Sequence, residues 1–338
     1  FFKQKTAYAM LRSLVGSEMC IRDRDHLESA MGLAISGFRD EFEAALDWSK
    51  NNQNPDGSWY ELYSFSNPIE MNKQSNHASY FAVALFCHYL LYKDQTFINS
   101  MQEPLTLCLS FISSLQSKSG AIIWNIDEKG NKDFDYLLTG NSSIAKSIQS
   151  ALHLYKVIGK ETNPIKELLI NLTDAIQNPS NKFDKKKDRS RFSMDSYYPV
   201  LSGVLDKSEE TKYIKQTLEK FYVSDLGIKC VSDQPWVTVA ETCEFVIALM
   251  KVGEKDLAKR LLTDIIQISD ENMIPYMGWQ YKEKIFLRNF KRPEGFLFWF
   301  HVASIGEFKS IQPIVDFYLK QDTKNNFLIT TVTLSCSI

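Results

Sequence analysis

The stretch HASYFAVALFCHYLLYK, residues 77–93, is apolar almost all round, which predicts a helix covered on every side. EKDLAKRLLTDIIQIS, residues 254–269, spaces Leu257, Leu261, Ile265 and Ile268 at helical intervals with charges between them. That pattern predicts one buried face and one wet face. The same alternation recurs along the chain. Helices of the first kind are predicted to begin near residues 26, 77, 142, 195, 238 and 294, and helices of the second kind near 38, 97, 163, 209, 254 and 308. The amphipathic segments run into loops such as NPDGSWY, KSGAIIWN, SDLGIKCV and IPYMGWQY. Their glycines can end a helix and let the chain double back.

Six pairs repeating at about fifty residues predict two concentric rings, the inner covered on both sides and the outer facing water. This is an all-α fold, an (α/α)6 toroid. An open solenoid of stacked helix pairs is the alternative. A solenoid needs polar capping repeats, and none is visible. The toroid is expected over residues 25–320, with 321–338 a tail of unassigned structure.

Composition narrows the function classes. The 338 residues carry a net charge of −2, and no basic face stands out, so nucleic acid is not an expected partner. The basic run KFDKKKDRSR, residues 182–191, reads as a solvated loop. The six cysteines form no Cys-x-x-Cys pair, which suits a reducing, cytoplasmic setting. No stretch has the apolar length of a membrane span. Residues 1–24 hold Lys3, Lys5, Arg12, Arg22 and Arg24 and no acid before Glu18, the composition of a transit peptide. Within them, KQKTAY and LVGSEMCIRD resemble translated sequencing-library adapter. Residues 1 to about 24, Cys20 included, are therefore expected to be non-native, with the genuine chain starting near Asp25 and any leader unread.

Three resemblances bear on the fold. NQNPDGSWY, residues 52–60, resembles the Gln-to-Trp repeat of terpenoid cyclases and prenyltransferase-like toroids. SYFAVALFCHYLLYKDQTFI, residues 79–98, is similar to a helix of six-hairpin glycosidases. HLESAMGLAISG, SRFSMDSYYPVLSGVL and SDQPWVTVAETCEFVIALMKVGE look like a bacterial group often described as prenyltransferase-like. Together these cover most of residues 25–285. They imply the toroid and leave the chemistry open, because the fold hosts unrelated reactions.

In such toroids the pocket lies where the inner helices begin. The chain is polar at those points: Asp25 and His26, Asn76 and His77, Asn141 and Ser142, Asp195, Asp233 to Glu241, and Glu294. Asn141 and Ser142 read as helix caps, and His77 as a hydrogen-bonded structural histidine or a substrate contact. SMDSYYP and SDQPW combine a carboxylate with aromatics beside proline. Glycoside cleavage needs one protonated and one ionised carboxyl. Asp195, Asp233, Glu241 and Glu294 are the candidate catalytic carboxylates, and His77, Tyr197, Tyr198, Trp236, Trp279 and Trp59 the candidate substrate contacts. The expected ligand is a glycan or another small molecule, with no cofactor. One alternative is an enzyme acting on an isoprenoid. Its Asp-x-Asp-Asp motif is absent, and DFD at 133–135 is only a partial match. A zinc set of Glu241, Cys243 and His301 resembles the Asp-x-Cys and His ligands of protein prenyltransferases, with Glu in place of Asp. A toroid that binds a glycan or a protein without turnover is a further alternative.

Overall fold

The structure is a computed structural model and describes residues 20–64, 66–180, 182–186, 188–267, 278–280, 297–302, 313, 317–318 and 326–331. The N-terminal unit ends at Gln280 and the second runs from Tyr281.

The N-terminal unit is a succession of helical hairpins. Strand β1 (Cys20–Arg22) leads into α1 (Asp23–Ile35) and α2 (Arg39–Asn51). A β-lined loop, β2 (Leu62–Ser64), β3 (Asn67–Glu70) and β4 (Lys73–Gln74), reaches α3 (Ser75–Tyr92), the short α4 (Gln95–Ser100) and α5 (Gln102–Ser114). Strands β5 (Asn125–Ile126) and β6 (Lys132–Asp133) precede α6 (Leu138–Val157) and α7 (Asn163–Gln177). Then come α8 (Met194–Ser202) and α9 (Lys207–Phe221). Last are β7 (Tyr222–Val223), β8 (Gly227–Ile228), β9 (Trp236–Thr238), α10 (Val239–Val252), α11 (Lys255–Gln267) and β10 (Gly278–Gln280).

The packing order shows the two rings. The inner helices α1, α3, α6, α8 and α10 each contact the next in that order. Each outer helix lies against its own inner partner: α2 on α1, α5 on α3, α7 on α6, α9 on α8 and α11 on α10. Sequence explains the sorting. The inner α3 buries Ala78, Phe81, Ala82 and Leu85 with no stripe of charge. The outer α7 buries only Ile165, Leu168, Leu172, Ala175 and Ile176, one face. Turns follow local rules. Asp206 caps α9 by accepting from the backbone N–H groups of Ser208 and Glu209 at 2.8 and 2.9 Å. Gly203 and Gly253 end α8 and α10 in the left-handed region. One core cluster runs through the first three hairpins and a second through α8 to α11.

Five hairpins of the toroid lie among the described residues. A sixth inner helix was expected from about residue 294. There the chain instead forms strand β11 (Leu297–Val302), paired in parallel with β12 (Asn326–Thr331) within the second unit. The apolar run FLFWFHV is short and rich in aromatics, and periodicity alone does not separate such a strand from a buried helix. Among the described residues, no helix is long and apolar enough to cross a membrane.

Candidate active site

Because hairpins alternate direction, all five inner helices start at the same end of the ring. Just inside that end, a cavity of about 240 Å³ is walled by every one of them. Glu28 comes from α1, Tyr80 from α3, Ser142 and Lys146 from α6, Tyr198 from α8, and Glu244 from α10. Residues three or four positions earlier sit one turn above these on the same helix faces. Asp25, His77, Thr139, Asp195 and Glu241 therefore stand around the mouth. These five positions all fall in the first turns of consecutive inner helices.

Asp195 is anchored where α6, α8 and the 184–192 loop meet. Its Oδ1 accepts from Thr139 Oγ1 at 2.5 Å and from Arg189 Nε at 3.3 Å. The side chain is only 9% exposed, and Oδ2 accepts nothing from the described residues. Burial raises its pKa above the usual carboxylate range, against the lowering pull of Thr139 and Arg189. Its neighbour is Asp184, whose Oδ2 accepts from Leu138 N at 3.4 Å while Oδ1 is buried without a donor among the described residues. Burial first, and then the charge of Asp195, push Asp184 up to about 6. Two buried carboxyls in this relation titrate as a pair, and both lie above the usual carboxylate range. Asp184 and Arg189 both come from the basic run that read as a solvated loop. Half of that reading is corrected: Lys185 and Lys186 are exposed, whereas Asp184 and Arg189 turn inward.

Glu244 is positioned differently. Its two oxygens accept the phenol hydroxyls of Tyr197, at 2.6 Å, and Tyr198, at 2.5 Å. Burial and the adjacent carboxylate hold the Tyr197 phenol well above its ordinary value, so it stays a donor. Sequence reasoning named both tyrosines as substrate contacts and passed over Glu244. The signal was present: Glu241 and Glu244 are three apart, one turn of the same inner helix.

Other expected residues scatter. Asp233 is 58% exposed and pairs with Arg191 at 2.9 Å on the surface, so it does not join Asp195. Trp236 is half-buried in β9. Glu241 stands at the rim but its carboxylate accepts from the Thr238 hydroxyl and lies close enough to Cys230 to help push that thiol up to about 12, burial being the larger cause. Trp59 is 2% exposed, donates Nε1 to Ser49 O at 2.7 Å and packs on Phe81, a core residue and not a pocket wall. His77 is half-buried at the mouth. Asn141, expected as a cap, lies inside α6, where Oδ1 accepts from Ile122 N and Nδ2 donates to Ile122 O, fastening the preceding loop. Ser142, also expected as a cap, faces the cavity. Trp279 pairs its backbone with Val237, and its side chain lies outside the described residues, as does Glu294. For the zinc set, burial and then Glu244 push the Cys243 thiol up, and the His301 side chain lies outside the described residues in the second unit. Among the described residues, no three His, Cys, Asp or Glu side chains group as metal ligands.

Comparison with known proteins adds to this geometry. The chain is 34% identical over 260 residues to the MMP endo-(1,4)-3-O-methyl-alpha-D-mannosidase of Mycolicibacterium hassiacum, covering 77% of this chain and 71% of that protein. Its fold is similar to that of the GH63 mannosylglycerate hydrolase of Thermus thermophilus, with a TM-score of 0.60 at 11% identity over 79% of this chain and 91% of the other. A further glycosidase structure matches with a TM-score of 0.60 at 9% identity, over 75% of this chain and 76% of its own. These likenesses place the fold among the α/α toroids of glycosidase type. Residues 279–337 match a different family, 3-deoxy-D-manno-octulosonic-acid transferase (kdotransferase).

Proposed function

The chain belongs to the family of the MMP endo-(1,4)-3-O-methyl-alpha-D-mannosidase, and from that membership we propose that it hydrolyses α-mannosidic bonds inside a glycan. The observation that carries the reading is the buried Asp184–Asp195 pair, where Asp195 lies one turn before the Tyr198 that walls the axial cavity. A carboxyl held near 6 by burial and a like charge keeps its proton to a higher pH than an ordinary carboxyl does. In this reading the pair gives its proton to the glycosidic oxygen as that bond breaks. Glu244, across the cavity wall and fixed by two phenols, takes the opposite role. It accepts a proton from the water that adds to the anomeric carbon, or attacks that carbon itself. Lys146, Tyr80 and Ser142 offer donors to the sugar hydroxyls between them. No cofactor enters the scheme. The isoprenoid alternative gains nothing from these relatives, whose named activities are directed at carbohydrates.

The test is turnover of α-(1→4)-linked mannooligosaccharides, methylated and unmethylated. Asp195→Asn and Glu244→Gln are each expected to lower kcat by about 10²- to 10⁴-fold, the usual contribution of a positioned acid or base, with the fold retained by circular dichroism. Full activity in Asp195→Asn would remove the pair from the mechanism.

A further inference from the structure

A second hollow, of about 480 Å³, opens beside Asp195 on the outward side of α8, between α8 and α9. Its size falls within the roughly 300–1,000 Å³ of small-molecule sites. We propose that this hollow is a distal sugar subsite, holding a hexose unit of the same chain beyond the scissile bond. The proposal rests on the mannosidase reading and adds where the polymer runs and which residues set the length it prefers.

Three observations carry it. The first is wall chemistry. Phe192 and Tyr213 place aromatic rings in the wall, and Gln216, Glu219 and Lys220 add donors and acceptors of both signs. A pyranose has an apolar face and a rim of hydroxyls, and it fits that combination. The opposed charges of Glu219 and Lys220 favour a neutral ligand over a phosphate or a carboxylate. The second is rigidity. Phe192 lies beneath the Arg189 and Arg191 guanidiniums, at 5.0 and 5.7 Å. Its loop is tied down by Lys220 Nζ to Ser190 O at 2.5 Å, Ser193 N to Cys230 O at 3.0 Å and Ser232 N to Arg191 O at 2.8 Å. An aromatic fixed before binding costs little ordering entropy. The third is continuity. Asp195 lines this hollow, pairs with Asp184, and stands one turn before Tyr198, which walls the axial cavity. A chain seated at both places would pass over the carboxyl that protonates it.

The experiment compares kcat/KM on a mannose disaccharide and on an α-(1→4)-mannohexasaccharide, for wild type and for Gln216→Ala, Gln216→Trp and Tyr213→Phe. Gln216 is exposed on α9, so its variants are expected to melt with wild type. Gln216→Trp plugs the hollow. It is expected to lower kcat/KM on the hexasaccharide by about 10-fold, through KM, while the disaccharide is cleaved as by wild type. Gln216→Ala and Tyr213→Phe follow in the same direction with smaller effects. Equal behaviour on both lengths, with wild type active, would overturn the subsite and leave the mannosidase reading standing. Wild type that neither cleaves nor is stabilised against heat by either oligosaccharide would overturn the mannosidase reading, and the subsite with it.

Discussion

Asp184 sits in the left-handed region, at φ 52°, with its own N–H on Tyr136 O at 2.8 Å. Asn, like Asp, tolerates that backbone better than most side-chain-bearing residues do, so Asp184→Asn isolates the charge. The folded-state value is raised to about 6 from 3.8. A raised acid favours folding while protonated, so its contribution is complete below pH 3.8 and is lost as pH climbs through about 6. Asp184→Asn should therefore match wild type near pH 4 and be more stable near pH 8, by about 1–2 kcal/mol after allowance for partial solvent screening. Urea titrations at the two pH values check this, and an unchanged difference would mean Asp184 is not held neutral. Arg189 lowers both Asp184 and Asp195 by its charge. Arg189→Gln should then move the basic limb of the activity profile to higher pH; a shift to lower pH would contradict the pair as acid. Neither residue was legible in the sequence, because KFDKKKDRSR has the composition of a wet surface loop. The groups that meet Asp184, Leu138 N and the Asp195 carboxyl, are 46 and 11 positions away, and no local pattern encodes that.

At the scale of elements, the sequence was informative wherever periodicity had room to show. The stripes of α7 and α11 and the all-round apolar surface of α3 each extend over more than three turns. Aromatic and glycine-bearing loops were legible as breaks, though not in what they touch. In NPDGSWY, Gly57 has φ 89°, and a Cβ there would lie 2.0 Å from Leu107 O on α5. Trp59 of the same loop is buried on Phe81 of α3. The loop is a wedge between two elements, and for that reason its tryptophan serves packing and not the pocket. Gly57→Ala adds both a strained backbone and a main-chain clash that no rotamer relieves. It should cost about 2 kcal/mol or more, read as a fall of several degrees in melting temperature. A melting curve superimposing on wild type would show that the loop does not seat on α5. The strand β11 lies at the other limit, where six residues hold too little periodicity to choose between helix and strand.

For the whole molecule, the toroid was readable because it repeats, and the proposed acid pair was not because it is assembled at one meeting point of α6, α8 and a loop. The match to the kdotransferase family at 279–337 begins beside the unit boundary at Gln280. The N-terminal stretch poses the same question of what belongs to the fold. Residues 1–24 resemble translated adapter, yet Cys20, Ile21 and Arg22 pair antiparallel with Ser64, Tyr63 and Leu62. Three residues of edge strand carry little stability. They extend the β2–β3 hairpin, which has its own register through Leu62–Glu70 and Ser64–Asn67. The inner helix α1 is held independently, by Leu27 and Ala30 in the core and by His26 Nε2 on Ala45 O at 3.1 Å. Two truncations separate these contributions. Removing residues 1–19 leaves every described element in place, and removing residues 1–22 also deletes β1. Both are expected to melt with the full chain within error, because neither touches the core that fixes α1. A loss of several degrees confined to the second truncation would assign real stability to β1, and a loss in both would make the leading segment part of the folded protein.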